Sequence, residues 1–232
     1  MDYVTKGYEP ADALKYFEEI SAIPRGSQNE AAVADYICEF AKAHGLEYYR
    51  DEVHNVIVKK PASKGCENVP PLMLQGHTDM VCVKLPEVEH DFTKDPLELE
   101  IKDGWLTAKG TTLGADDGMA CAYMLACLAK EDYVHPPLEC VFTSMEEIGL
   151  IGSMKIDAGK LSAHRLINMD GGTGAENQSV VSCAGGQVYN FRRTPAWEKA
   201  EGEAVSFAIR GLLGGHSAGV MHTGRGNGLK RM

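Results

Sequence analysis

The hydrophobic and polar residues of this chain repeat with two different periods, and each period predicts a different element. Apolar residues at helical spacing and runs of small residues predict helices over residues 10–20, 27–45, 119–129 and, more briefly, about 151–158. Short apolar runs and alternating patterns predict strands over residues 47–53, 55–60, 72–74, 97–101, 105–108, 138–143 and 165–169. Because strands alternate with helices, we predict an α/β fold with a mixed, largely parallel sheet flanked by helices.

Two short motifs predict how neighbouring elements begin or connect. Ser27 and Glu30 have the spacing of a capping box, in which both side chains bond to backbone N–H groups at the start of a helix. Asp103-Gly104 lies between two strand-like runs, which is a strong signal for a β-hairpin. We therefore expect a helix that is capped at Ser27 and a hairpin over residues 97–108.

The pattern of predicted elements changes after Gly185-Gly186. Two strands are predicted there, over residues 187–192 and 204–209. We predict a domain boundary there, with one domain over residues 1–185 and the beginning of an α+β domain over residues 186–232. Too few residues follow the boundary to close an independent domain. We therefore expect the second domain to be incomplete.

Composition and charge narrow the classes of partner and compartment. The net charge of −10 and the lack of a basic stripe argue against nucleic acid as a partner. The beginning of the chain lacks an apolar signal segment, and no run of residues approaches membrane-spanning length. Seven scattered cysteines without a Cys-x-x-Cys pair are typical of free thiols in a reducing compartment. We therefore predict a cytoplasmic protein with no membrane partner.

Chemically active side chains follow four of the predicted elements, mostly where a strand ends. They are His77 and Asp79, Asp116 and Asp117, Glu146 and Glu147, and Asp170. Open α/β sheets place their chemistry at the carboxyl ends of the strands, so we expect these side chains to meet there. That many acids would repel one another without a cation, and carboxylate and imidazole ligands suit zinc or a similar divalent ion. Any single pair is also explained as a helix cap or a solvated loop end, so the metal site depends on all four meeting.

His77 and Asp79 have a spacing that suits one particular arrangement. If the chain is still extended after residue 74, its alternation points both side chains to the same side. The imidazole of His77 can then bind a metal through one ring nitrogen while the Asp79 carboxylate accepts a hydrogen bond from the other.

The ordered series of motifs resembles the aminoacylase/carboxypeptidase G-type dizinc metallopeptidases. The motifs are Gly76-His77-Thr78-Asp79, Gly114-Ala115-Asp116-Asp117-Gly118, Glu146-Glu147 and Asp170. Within that family, segments 90–96, 110–116 and 135–139 are similar to the bacterial aminoacyl-histidine (Xaa-His) dipeptidases. The resemblance covers nearly the whole chain from about residue 9 onward, and it implies a zinc-peptidase catalytic domain followed by the start of a lid domain.

The resemblance implies ligands for two zinc ions, which cobalt or manganese could replace. His77 and Asp170 would bind one ion, Glu147 the second, and Asp116 would bridge the two, with a cis peptide bond after it. In the family a further histidine binds the second ion from a segment after the lid domain. We find no counterpart in this sequence, so we expect a weakened or empty second site.

The resemblance also implies catalytic and substrate-binding residues. Glu146 would act as the general base for a water bridging the two metals, and Asp79 would orient His77. His216 in the lid domain would reach the substrate carbonyl oxygen, in the family often across a homodimer formed through that domain. The implied reaction is metal-dependent hydrolysis of dipeptides, broadly of the Xaa-His type. An N-acyl amino-acid deacylase on the same scaffold and an inactive metal-binding fragment are the alternatives.

Overall fold

The computed structural model describes residues 3–171, 192–199, 201–213 and 223–226. The chain divides into two compact units, Met1–Asp170 and Gly171–Met232. The predicted boundary at residues 184–186 and nearly all of the predicted strand 187–192 lie outside the described residues and stay predictions. Residues 204–209, for which a strand is predicted, have no regular secondary structure. A strand needs a neighbour for its backbone hydrogen bonds, and among the described residues none pairs with this segment.

The helices of the described chain agree closely with the predicted ones. They are α1 (Ala11–Ser21), α2 (Ala31–Ala43), α3 (Ala115–Ala129) and α4 (Ile151–Lys155), followed by a single 3-10 turn at Ala158–Lys160. Helix α3 begins earlier than predicted, but Asp116 and Asp117 have non-helical backbone angles. Regular helix therefore starts only after Asp116 and Asp117. These two acids can then contribute to a site outside the helix.

The strands form one five-stranded sheet and one separate hairpin. They are β1 (Glu47–Arg50), β2 (Val56–Lys60), β3 (Leu72–His77), β4 (Leu99–Lys102), β5 (Trp105–Ala108), β6 (Leu138–Thr143) and β7 (Arg165–Asn168). The sheet has the order β1-β2-β6-β3-β7, and β4 pairs with β5 as the predicted hairpin. Strands β6, β3 and β7 are parallel, whereas β1 and β2 run antiparallel to their neighbours. The predicted mixed sheet with a parallel core is confirmed.

One apolar core joins the sheet to helices α1, α2 and α3. Phe17 of α1, Ile37 of α2, Met124 of α3 and Phe142 of β6 are all fully buried in it. Strand β6 is central, and all six of its residues are buried. The end of β6, which leads to Glu146 and Glu147, is therefore fixed to this buried core.

The predicted capping box at the start of α2 is wrong. Glu30 precedes the helix without a side-chain hydrogen bond to its first turn. Instead the Glu30 carboxylate accepts a hydrogen bond from the backbone N–H of Met145 (3.0 Å), and the Ser27 hydroxyl donates to the Asp79 carboxylate (2.7 Å). Glu30 is fully buried, so its carboxylate needs partners inside the protein, and it finds one in the loop after β6.

All six cysteines in the described part of the chain are free thiols, and Cys183 lies outside it. None of the helices among the described residues has the length and apolar character that a bilayer span requires.

Candidate metal centre

Parallel pairing places the candidate side chains at one edge of the sheet. Strand β3 pairs with β6 and with β7, so the three strands end side by side. Beyond the last pair, the backbone N–H of Thr78 still donates to the carbonyl of Thr143 (2.7 Å). The segments that follow these strands therefore begin at the same edge of the sheet. They carry Asp79, Glu146 and Asp170.

The imidazole of His77 lies at the centre of the cluster. Its Nε2 atom is 3.1 Å from Asp116 Oδ1, 3.9 Å from Glu146 Oε2 and 3.9 Å from Asp170 Oδ2. Two sets of potential ligand atoms lie within 4.8 Å of one another, namely His77 with Asp116 and Asp170, and His77 with Glu146 and Glu147. The four segments do meet, which is the condition that the predicted metal site requires.

The cluster has a buried base and an open rim. The side chain of His77 is 1% exposed, whereas that of Asp116 is 76% exposed and that of Asp170 is 33% exposed. An ion or a small substrate can therefore approach the acids from solvent while the imidazole is held from behind.

The second ring nitrogen of His77 is held by Asp79. Nδ1 lies 3.0 Å from the backbone oxygen of Asp79 and 3.4 Å from its carboxylate. Burial lowers the pKa of His77, but hydrogen bonding to Asp79 and the charges of Asp117, Asp79 and Asp170 outweigh it and raise the pKa to about 9. The sequence predicts a contact of His77 Nδ1 with the Asp79 carboxylate alone. In the structure the backbone oxygen of Asp79 contacts the same nitrogen.

The Asp79 carboxylate makes a connection that sequence reasoning did not find. It accepts hydrogen bonds from the backbone N–H groups of Glu146 (2.9 Å) and Glu147 (3.2 Å). Burial would raise the pKa of Asp79, but hydrogen bonds from His77, Ser27 and Glu146 outweigh it and lower the pKa. Asp79 therefore stays ionised and fixes the Glu146–Glu147 segment against the end of β3.

Asp117 supports the strand rather than facing the rim. Its carboxylate accepts a hydrogen bond from the backbone N–H of His77 (3.0 Å), and the peptide bond between Asp116 and Asp117 is cis, as the resemblance implies. Burial raises the pKa of Asp117 to about 7, although the charge of His77 opposes it. Gly76 makes room for this contact, since a Cβ atom there would lie 2.5 Å from Asp117 Oδ2 and 2.7 Å from the Cβ of Ala120.

The remaining acids are in an environment that favours a bound cation. Burial raises the pKa of Glu146, Glu147 and Asp170, and the charges of neighbouring acids raise each of them further. A divalent ion among them would remove this repulsion, and one imidazole nitrogen with several carboxylate oxygens is a donor set that zinc and similar ions accept. The side chains present therefore fit a divalent metal.

The roles predicted for Glu147 and His216 stay predictions. Glu147 groups with His77 and Glu146, and it lines one recess together with Asp116, the predicted bridging ligand. Its assignment to a second metal stays a prediction. His216 lies outside the described residues, so its predicted contact with substrate also stays a prediction.

Several residues outside the motifs hold the site loops. Asn55 accepts a hydrogen bond from the backbone N–H of Ser144 (3.0 Å) and donates one to the carbonyl of Gly152 (2.8 Å). The sequence predicts only that a strand begins at Asn55. Like Ser27 and Glu30, it acts on a segment far along the chain, and periodicity gives no signal for such contacts.

Comparison with known proteins identifies close relatives. The chain is 42% identical over 223 residues to the cytosol non-specific dipeptidase of Escherichia coli (strain K12), an alignment that covers 95% of this chain and 46% of that protein. The chain thus spans a little less than half the length of the curated relative it matches.

Solved structures give the same picture. The crystal structure of aminoacylhistidine dipeptidase from Vibrio alginolyticus superposes with a TM-score of 0.69 at 43% identity, covering 70% of this chain and 33% of that one. A tripeptidase from Staphylococcus aureus superposes with a TM-score of 0.58 at 27% identity, covering 69% of this chain and 43% of that one.

The sequence pattern of peptidase family M20/M25/M40 matches residues 73–225, which include every motif of the metal centre. By this match and by the arrangement of its strand ends, the chain belongs to peptidase family M20/M25/M40.

Proposed function

We propose that this chain carries the metal centre of a dipeptidase that hydrolyses short peptides, with Xaa-His dipeptides among its substrates. The observation that supports this most directly is the cluster of Asp116, Glu146, Glu147 and Asp170 around the buried imidazole of His77. The family is metal-dependent, and the relatives from E. coli and V. alginolyticus carry the names of dipeptidases.

We assign His77, Asp116, Glu147 and Asp170 as the residues that would hold the metal. The donor set suits zinc, with cobalt and manganese as the alternatives. When bound, a divalent metal lowers the pKa of a water molecule and polarises the peptide carbonyl.

Glu146 is the residue we assign as general base. Its carboxylate lies on the rim of the cluster, 3.9 Å from His77, and its own backbone N–H is anchored by Asp79. A raised pKa brings a carboxylate closer to the pH at which it can both accept a proton and release it. Glu146 can therefore take a proton from the attacking water and deliver it to the leaving amine, while Asp79 keeps His77 in place.

The names of the relatives favour peptides over N-acyl amino acids as substrates, because each describes a peptidase that acts on short peptides. They also bear on location, since the E. coli relative is described as cytosolic. We propose a cytoplasmic location for this chain as well. A homodimer through residues 186–232 stays a prediction that analytical ultracentrifugation would test.

The function is tested by following release of histidine from β-Ala-His by the full-length gene product. We expect hydrolysis with zinc present, loss of it on adding a chelator, and a rate about 10²–10⁴-fold lower in Glu146→Gln with metal content unchanged. Glu89→Gln, at an exposed glutamate, is the matched control and should keep the wild-type rate.

Hydrolysis that survives both the chelator and the Glu146→Gln substitution would refute the proposal. Faster turnover of acetylated amino acids than of dipeptides would favour the deacylase. Metal binding without either activity would favour the inactive metal-binding alternative.

A further inference from the structure

Arg25 is a buried cation that reaches two site loops at once. It lies between α1 and α2 and is 1% exposed. One terminal nitrogen of its guanidinium donates to the carbonyl of Thr78 (2.9 Å), and the other donates to the carbonyl of Gly114 (2.6 Å). Thr78 separates His77 from Asp79, and Gly114 comes two residues before Asp116.

The glycines that flank the acids of α3 leave space for this guanidinium. A Cβ atom at Gly114 would lie 2.6 Å from the Nη2 atom of Arg25, and one at Gly118 would lie at the same distance. Gly114 also has a positive φ of 66°, so only the Gly118 position is explained by space alone. The spacing of glycines around Asp116 and Asp117 is therefore matched to Arg25.

The backbone of Arg25 is joined to the same region. Its carbonyl accepts a hydrogen bond from the N–H of Met80 (3.2 Å), and Gly26 forms a parallel bridge with Met80. Arg25 thus contacts the segment after β3 through its backbone and through its side chain.

A buried guanidinium that forms no ion pair with a carboxylate of the described residues is a costly way to stabilise a fold. The Nε atom of Arg25 is buried and makes no hydrogen bond to any described residue. An apolar residue of similar size would avoid this desolvation cost, so the benefit of arginine should lie in what it fixes. Its planar fork can hold two carbonyl groups at a set separation, which a flexible ammonium group does less well.

We infer that Arg25 is a positioning residue of the metal centre, which fixes the segment carrying His77 and Asp79 relative to the segment carrying Asp116. The inference rests on the proposed function only in taking this cluster to be a metal site. Residues that orient metal ligands change metal affinity by about 10–100-fold when they are replaced.

Lys60 provides a matched control at the other end of α3. It is also a buried cation, and its ammonium group donates to the carbonyls of Cys127 (2.9 Å) and Lys130. Replacing Lys60 removes a hydrogen bond to the last turn of α3 and another to Lys130, which follows the helix, away from the metal centre. A loss of stability alone would therefore affect Lys60 and Arg25 variants alike.

The first experiment measures zinc affinity by calorimetry for the whole chain and three variants. We expect Arg25→Met to bind zinc about 10–100-fold more weakly, Arg25→Lys to be intermediate, and Lys60→Met to match the wild type. Wild-type affinity in Arg25→Met would overturn the inference, and so would an equal loss of affinity in Lys60→Met.

The second experiment needs no metal. In the metal-free chain, the ring ¹⁵N signals of His77 should shift or broaden in Arg25→Met and in Gly118→Ala, which crowds the guanidinium, but not in Lys60→Met. Unchanged His77 signals in both site variants would overturn the inference, and Gly118→Ala decides alone if Arg25→Met does not fold. Failure of the proposed function is distinct, because it would appear in the wild-type chain as loss of hydrolysis or of zinc binding, while the His77 signals still report on Arg25.

Discussion

Asp116 and Asp117 are neighbours in the chain but lie in opposite environments. The side chain of Asp116 is 76% exposed beside His77 Nε2, whereas Asp117 is 4% exposed and bonded to the backbone of His77. One residue can therefore bind an ion while the next one holds the strand that carries the imidazole. The division depends on non-helical backbone at both positions, before the regular part of α3 begins.

Gly76 gives a prediction at the scale of one residue. Gly76→Ala would place a Cβ atom 2.5 Å from the Asp117 carboxylate and 2.7 Å from Ala120, so the strand and α3 would have to separate. Because overpacking in a dense core costs about 1–3 kcal/mol, we expect the free energy of unfolding to fall by that amount in denaturant titrations.

Gly171→Ala is the control for this substitution. A Cβ atom there would meet no atom of the described residues within 4 Å, so we expect a change within about 0.5 kcal/mol. Equal stability of the Gly76→Ala and Gly171→Ala variants would contradict the close approach described for Gly76.

At this scale the sequence predicts the acids and the histidine but not their supports. His77, Asp79, Asp116, Glu146 and Asp170 are recognisable because each follows an element in a glycine-containing or acidic motif. Arg25, Ser27, Glu30 and Asn55 reach the site only through contacts with distant segments. A local pattern such as the apparent capping box is misleading here, because the Glu30 carboxylate also accepts a hydrogen bond from Met145, far along the chain, and the Ser27 hydroxyl donates to Asp79.

At the scale of elements, the spacing of apolar residues predicts most helices and strands. An element that buries one face must place its apolar residues at the period of that face. The parallel core follows from the alternation of strands with helices, and with it the common edge where β3, β6 and β7 end. The strand order, with β6 between β2 and β3, could not be predicted, since it depends on which strands pair across long loops. For residues 204–209 the pattern predicts a strand that the structure does not have, because no described segment pairs with them.

Glu139 of β6 gives a prediction about how one element is held to the next. Its buried carboxylate accepts hydrogen bonds from the backbone N–H and hydroxyl of Ser162 and from the N–H of Ala163. Glu139→Gln replaces one acceptor oxygen with a donor that faces these N–H groups. We expect a loss of about 1–3 kcal/mol in unfolding free energy near about pH 7, with Glu89→Gln as an unaffected control.

The same variant should show a defined pH dependence. Burial would raise the pKa of Glu139, but the hydrogen bonds from Ser162 and Ala163 and the charge of Lys59 outweigh it and lower the pKa. The stabilisation is then fully present above the unfolded-state pKa of about 4.3 and is lost as pH falls through the lower folded-state value. A stability difference between wild type and Glu139→Gln that stays constant down to about pH 3 would contradict this account.

For the whole molecule, the acid cluster predicts that metal binding and folding are linked. A ligand that binds only the folded state stabilises it by about 2.7 kcal/mol at a concentration one hundred times its Kd. We expect zinc to raise the unfolding temperature of the chain and a chelator to reverse the change, as measured by differential scanning calorimetry.

Asp116→Asn separates this site from adventitious zinc binding elsewhere. The Asp116 side chain is mostly exposed, so the substitution should change the unfolding temperature of the metal-free chain very little. Most of the increase caused by zinc should disappear, however, because a ligand is lost. An undiminished increase in this variant would place the bound zinc away from the cluster.

Glu30 and Met145, which are hydrogen-bonded in the folded protein, stand 115 residues apart in the chain. During translation the segments that carry His77, Asp116, Glu146 and Asp170 therefore leave the ribosome one after another. The side chains that emerge first stay solvated until the later ones have been synthesised. Because a domain generally folds as a unit, uptake of the ion should come after the sheet has closed in the nascent protein. The folded chain without its ion would then remain able to bind it later.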